Sequence, residues 1–296
     1  MAPKTDKLGE PMETVRIDVQ ANGLSFHYLD RGSGPLILML HGFPDTAFGF
    51  TATMKILAEE GYRVVAPFMR GYAPSGFAPD GDYRLRRLGE DALAIAATLG
   101  AERFVLVGHD WGALAAYAAA AIAPERLSHL VTAAIPHPGH STRNTGLKQA
   151  RRSAYALLFQ LRWLPERLIR RRNFAWLENL IRRWSPSWDF RDEDLAFLKQ
   201  AFTQPQRLQA ALAYYRAFIP GTLKRDQRAL TDAVIRVPTL QICGGQDGCV
   251  GSEMFDGQQA WFAAGLRIHR MSDAGHFMQY ERPREFAAAI LAQLRA

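Results

Sequence analysis

Five runs of the chain are short and almost wholly apolar, Leu36–Leu40, Arg63–Pro67, Phe104–Gly108, Leu130–Ala134 and Thr239–Gly244, and a sixth, Leu266–Met271, closes the series. A strand with one wet face alternates polar and apolar residues. Near-continuous apolar runs therefore predict strands covered on both faces, as in a parallel sheet. Helical patterns fill the gaps, over Thr51–Glu60, Leu88–Leu99 and Ala113–Ala123, and from Arg284 to the end. Strand alternating with helix predicts βαβ units and an α/β fold with a mostly parallel, doubly wound sheet. Two extended segments, Thr14–Val19 and Leu24–Asp30, come first, and the Asn22-Gly23 between them is a strong hairpin signal because both residues tolerate positive φ.

The alternation breaks between Gly139 and Arg228, where only helical patterns occur, together with most of the tryptophans and the arginine clusters. An all-helical stretch between two strand-bearing parts predicts a lid over the strand ends. The expected division is a core of residues 1–138 and 229–296 with a lid of residues 139–228.

At 296 residues the chain is long enough for such a core with an insertion. With 48% apolar and 22% charged residues, disordered and fibrous classes drop out. The opening MAPKTDKLGEPM has no apolar run after its lysines, so no secretory signal is expected. The longest apolar stretch, Ala113–Ala123, is far short of the roughly 20 residues a membrane helix needs, so no stable membrane insertion is expected. Cys243 and Cys249 sit too near each other for a disulfide framework and match no zinc spacing, which points to reduced thiols in a cytoplasmic protein. The net charge of +7 raises the question of nucleic acid. The excess is local, however, at Arg151, Arg152, Arg162, Arg167, Arg170–Arg172, Arg182 and Arg183, with no nucleic-acid motif beside it. Solvated faces of lid helices account for it, and the interleaved Trp163, Phe174 and Trp176 leave attraction to a membrane surface as a second reading.

The chemistry centres on Gly108-His109-Asp110-Trp111-Gly112, which follows the apolar run Phe104–Val107 directly and leads into the alanine-rich helix. Strand, sharp turn and helix are the context of a nucleophile elbow, whose flanking glycines give the turn room and whose small residues let the helix pack close to the sheet. Acid and histidine then follow in the expected order: Asp247 after the run Thr239–Gly244, and His276 after Leu266–Met271. Loops at the carboxyl ends of parallel strands are where such sheets place their sites. The remaining histidines show no H-x-x-x-H spacing, so no metal is expected.

A carboxylate is ionised at neutral pH and needs no base before it attacks an sp3 carbon. Attack on a carboxylic ester would instead give a reactive anhydride. Displacement at carbon leaves an alkyl ester on Asp110, and His276, oriented by Asp247, can activate water to hydrolyse it. The oxyanion formed on the way needs two donors, and the backbone N–H groups of Phe43 and Trp111 are placed to supply them.

With these residues in hand, the segments His41-Gly42-Phe43-Pro44, Arg70-Gly71-Tyr72, Gly108-His109-Asp110-Trp111-Gly112 and Gly275-His276 resemble those of the α/β-hydrolase-fold epoxide hydrolases, over most of the chain. The resemblance implies an eight-stranded core with a helical lid, an epoxide and water as reactants, and no cofactor. It also implies two lid tyrosines that donate to the epoxide oxygen. Tyr155, in a segment closed by Phe159-Gln160, and Tyr215, in Tyr214-Tyr215-Arg216, are similar to those two, with Tyr214 as the alternative to Tyr215. Haloalkane dehalogenases share the fold, the aspartate and the Trp after it. They hold halide with N–H donors, and Phe43 has no side-chain donor at the position after His-Gly, which leaves Trp163 or Trp176 for that duty. A non-catalytic receptor using the same pocket would have no need of an ordered acid–histidine pair.

Overall fold

The structure, a computed structural model, describes residues 15–221 and 224–296. The leader expectation for residues 1–12 and the first residue of the expected strand Thr14–Val19 lie outside the described residues. Eight strands form one sheet: β1 (Val15–Ala21), β2 (Leu24–Arg31), β3 (Leu36–Leu40), β4 (Arg63–Pro67), β5 (Phe104–His109), β6 (Leu127–Ala133), β7 (Thr239–Gly244) and β8 (Leu266–Met271), in the spatial order β1-β2-β4-β3-β5-β6-β7-β8. β1 and β2 form the antiparallel hairpin, with Asn22 and Gly23 both at positive φ, and β2 runs antiparallel to β4. Every other pairing is parallel. The α/β fold with a mostly parallel sheet is therefore as expected.

Helices α1 (Thr51–Glu59), α2 (Leu85–Thr98) and α3 (Trp111–Ile122) and the C-terminal helix Pro283–Leu294 cover the sheet. Two apolar clusters divide the work. Leu88, Ala92 and Ile95 of α2 and the small residues of α3 pack with Leu38, Leu40 and Leu106 on one face. Met54 and Leu57 of α1 and Phe286 and Ile290 of the C-terminal helix pack with Ile37, Met39 and Val107 on the other. Burial on both faces is why β3 and β5 read as unbroken apolar runs. β8 is one of the two edge strands, and its Arg267 and Arg270 are exposed.

Chain order fixes where a site can form. The chain leaves β3 outward to β4, then crosses back over β3 to β5 and continues in the opposite direction. A crevice opens at such a reversal, at the carboxyl ends of the strands. Between β6 and β7 the described elements are all helical, from Pro138–Asn144 to Arg225–Thr231, and their apolar faces join the cluster on the α2–α3 side. No helix among the described residues is long and apolar enough to cross a membrane.

Candidate active site

β5 ends at His109 and α3 begins at Trp111, so Asp110 alone makes the turn, with φ 51° and ψ −116°. Positive φ costs a residue with a side chain, and the surroundings must hold it there. They do so through close backbone contact. A Cβ on Gly108 would stand 2.2 Å from the Gly112 carbonyl oxygen, and one on Gly112 would stand 2.0 Å from the Leu40 carbonyl oxygen. A Cβ on Gly42 would overlap the Asp110 side chain itself, 2.3 Å from Oδ1. Gly112→Ala sets a methyl against backbone that cannot swing aside. It is expected to cost about 1–3 kcal/mol or more of stability, read as a fall in Tm. A variant with unchanged Tm and unchanged activity would remove this account of the turn.

The loop after β3 supplies the first partner. The Phe43 N–H donates to Asp110 Oδ1 at 2.7 Å, and the Trp111 N–H also bonds this carboxylate. His41 shapes the loop: its Nε2 accepts from the Met69 N–H at 3.0 Å, which leaves its proton on Nδ1, facing the Gly42 carbonyl oxygen at 3.1 Å. Burial drops the His41 pKa to about 4, so this ring is a neutral strut. Burial raises the pKa of Asp110, against the pull of His276 and of the two N–H groups.

The loops after β7 and β8 bring the acid and the histidine. Asp247 Oδ2 lies 2.9 Å from His276 Nδ1, and its Oδ1 accepts from the N–H groups of Cys249 at 2.6 Å and Val250 at 2.9 Å. The carboxylate is thus fixed from one side and the imidazole from the other. His276 Nε2 faces Asp110 Oδ2 at 3.8 Å, too long for a hydrogen bond. Burial disfavours the imidazolium, but Asp247 and Asp110 outweigh it and raise the pKa of His276. Asp110, Asp247 and His276 are thereby brought together as expected from their strand ends.

A cavity of about 410 Å³ opens above Asp110, walled mainly by apolar groups such as Leu114, Ile135 and Phe218. Tyr155 and Tyr215 both line it, and their ring centroids are 6.0 Å apart. Tyr215 stands edge-on to Trp111, with centroids 4.8 Å apart. Burial pushes the pKa of both tyrosines well up, so both stay protonated. Tyr214 is outside this cavity and donates to the Arg70 carbonyl oxygen at 2.8 Å, so Tyr215 is the member of the pair that faces the site. Neither Trp163 nor Trp176 lines the cavity; Trp163 is exposed and Trp176 packs on Phe159.

Three neighbours were not legible as site residues. Cys249, expected only as a core thiol, lines the cavity with its Sγ 3.5 Å from the Tyr155 hydroxyl, and burial pushes its pKa well up. The clue was its place two residues after Asp247. Gln149 clamps the same loop, donating to the Cys249 carbonyl oxygen at 2.9 Å and accepting from the Gly251 N–H at 3.1 Å. The Trp184 carbonyl oxygen, at the end of the helix Ala175–Trp184, accepts from the N–H groups of both Gly248 and His276 at 3.0 Å. Backbone contacts of that kind leave no mark in side-chain type. Asp247, Cys249 and His276 have ligand-type atoms within 4.8 Å of one another, but His276 and Asp247 are already engaged with each other in the hydrogen bond above.

Known proteins share this arrangement of chain. A family model described as the alpha/beta hydrolase fold matches residues 35–283. The AB hydrolase superfamily protein YfhM of Bacillus subtilis (strain 168) is 32% identical over 283 residues, covering 94% of this chain and 96% of that protein. Human epoxide hydrolase 4 is 30% identical over 278 residues, covering 90% of this chain and 75% of that protein. Among solved structures, an epoxide hydrolase of Bacillus megaterium in complex with an inhibitor superposes with a TM-score of 0.84 at 26% identity, covering 95% of this chain and all of that one. The chain belongs to the α/β-hydrolase fold family and, within it, to the family of the epoxide hydrolases.

Proposed function

We propose that this protein hydrolyses epoxides to vicinal diols through an alkyl ester on Asp110. The observation that carries the reading is the placement of two protonated tyrosines, Tyr215 buried and Tyr155 partly so, in the same apolar cavity as a carboxylate already seated on two backbone N–H groups. Asp110 Oδ2, on the side of His276, attacks an epoxide carbon. The C–O bond of the ring breaks, and the oxygen takes its proton from Tyr155 or Tyr215. His276 Nε2 then accepts a proton from water, which attacks the carbonyl carbon of the Asp110 ester. The N–H groups of Phe43 and Trp111 hold the oxyanion. Its collapse breaks the ester C–O bond and expels the diol, whose released oxygen takes the proton from His276; the water oxygen stays on Asp110, and the second proton of that water returns to the tyrosinate.

Residues 139–228 act as the lid that brings the tyrosines over Asp110 and keeps bulk water out. The apolar walls favour a lipophilic epoxide. Haloalkane dehalogenation is the weaker reading, since Phe43 has no side-chain donor and neither Trp163 nor Trp176 reaches the cavity. Two buried thiols with no disulfide fit a cytoplasmic protein.

A single turnover in heavy-oxygen water is expected to label Asp110 and leave the first diol unlabelled. Label in that first diol would mean direct attack by water and would sink the ester. A panel of epoxides and haloalkanes assayed together tests the substrate class. Halide release with no diol from any epoxide would transfer the assignment to dehalogenation.

A further inference from the structure

The outer rim of the cavity carries a feature that catalysis does not use. Seven large apolar side chains are exposed among the described residues, and five of them, Leu147, Leu157, Leu161, Trp163 and Leu164, fall within eighteen consecutive positions. Scattered exposed apolar residues are ordinary, but a cluster marks a surface that something covers. Leu147 is 82% and Trp163 is 70% exposed. Leu157 is at once 68% exposed and part of the cavity wall, next to Ser153 and Ala154. One of the five thus stands at the mouth of the cavity.

The same stretch is rich in positive charge. Between Arg143 and Arg183 the chain has eleven basic and two acidic side chains, a local excess of nine against +7 for the whole. Arg151 lies one helical turn from Leu147 on the helix Leu147–Arg152. Arg167 lies one turn from Trp163, its N–H bonded to the Trp163 carbonyl oxygen at 3.0 Å. Arg151, Arg162, Arg167, Arg171 and Arg172 are exposed, and among the described residues none of them forms a salt bridge, in contrast to Arg143, Arg152 and Arg216. Leucines and a tryptophan set among unpaired arginines match a layer that is apolar inside and anionic at its face. Trp settles at the headgroup level, and cationic side chains gain from the negative surface potential.

We propose that residues 147–172 dock the protein peripherally on an anionic phospholipid bilayer, with the mouth of the cavity turned toward the lipid. Lipophilic substrate would then pass from bilayer to cavity without crossing water. The docking is tested by binding alone, so it stands or falls apart from the proposed hydrolysis.

The experiment is flotation of the whole protein with vesicles of phosphatidylcholine, or of phosphatidylcholine with phosphatidylglycerol. Wild type is expected to float with the anionic vesicles at low salt and to be released by salt near about 0.5 M, where charge is screened within a few ångströms. Replacing four arginines together (Arg151→Gln, Arg162→Gln, Arg167→Gln, Arg171→Gln) is expected to lower partitioning on the order of 100-fold or more. Trp163→Ser should lower it too and abolish the vesicle-induced blue shift of tryptophan emission, with Tm unchanged for these surface positions. Equal flotation with neutral and anionic vesicles, no flotation at low salt, or indifference to the arginine replacements would overturn the proposal. So would a stable dimer that Trp163→Ser dissociates and that vesicles do not displace, since the occupant would then be a second copy of the chain.

Discussion

Replacing His276 by Gln will give an enzyme that reacts once and stops. Alkylation of Asp110 needs no base, whereas hydrolysis of the ester needs His276 Nε2 to take a proton from water. A positioned base contributes on the order of 10²–10⁴-fold, and the second step will slow by that factor. Intact mass spectrometry after mixing with epoxide will show enzyme plus one substrate, and peptide mapping will place the mass on Asp110. Adding Asp110→Ala to the same variant removes the adduct. The pH profile carries the same logic. Burial works against the imidazolium, yet Asp247 and Asp110 raise the His276 pKa. Only the neutral ring is a base, and in the ester Asp110 carries no charge, so ester hydrolysis rises with pH through a His276 pKa held up chiefly by Asp247 and is lost below it. Asp247→Asn removes that charge, moves the rise to lower pH and lowers the plateau by disturbing the tautomer. A His276→Gln variant that turns over at the wild-type rate rules the assignment out.

The second large effect lies above the carboxylate. An epoxide expels an alkoxide, which leaves poorly unless a donor meets the growing charge, whereas halide leaves without one. Losing one donor aimed at developing charge costs on the order of 10²–10³ in rate. Tyr155→Phe and Tyr215→Phe are each expected to slow alkylation by that factor, and the double variant to be almost inert, while folding survives the loss of one hydroxyl from each ring. Tyr214→Phe serves as the control: it breaks the bond to the Arg70 carbonyl oxygen and is expected to lower Tm with much less effect on ring opening. Stopped-flow tryptophan fluorescence separates the two steps. Wild-type ring opening by both single variants would strip the tyrosines of this role.

What the sequence made legible follows contact range. Asp110 stood out because a glycine-flanked turn between a buried strand and a helix of small residues leaves a local signature. Asp247 and His276 were found from strand order, since chain topology alone puts the loops after β7 and β8 at the same end of the sheet as the turn after β5. Element limits slipped where polar residues serve buried elements. β6 starts at Leu127, ahead of the expected Leu130, because Ser128 and His129 lie at the half-covered start of a strand. α2 starts at Leu85, ahead of the expected Leu88, because the intervening arginines mask an apolar pair one turn apart. The choice between Tyr214 and Tyr215 needed the helix Pro205–Gly221 in place, since adjacent residues on a helix point about 100° apart. Cys249, Gln149 and the Trp184 carbonyl act through contacts with residues far away in sequence, which no local pattern encodes.

The doubly used Trp184 carbonyl oxygen limits how this enzyme can breathe. It ties the end of the helix Ala175–Trp184, midway along the helical insertion, to the backbone of both Gly248 and His276, so that part of the roof is coupled to the proton-transfer pair. Thr142 and Thr145 also line the cavity, but their hydroxyls bond locally, to the Gly139 and Ser141 carbonyl oxygens. The tie to the base and the wall at these two threonines are thus separate parts. Selection, natural or in the laboratory, is therefore expected to recut that wall and change which molecules are admitted without retuning the base.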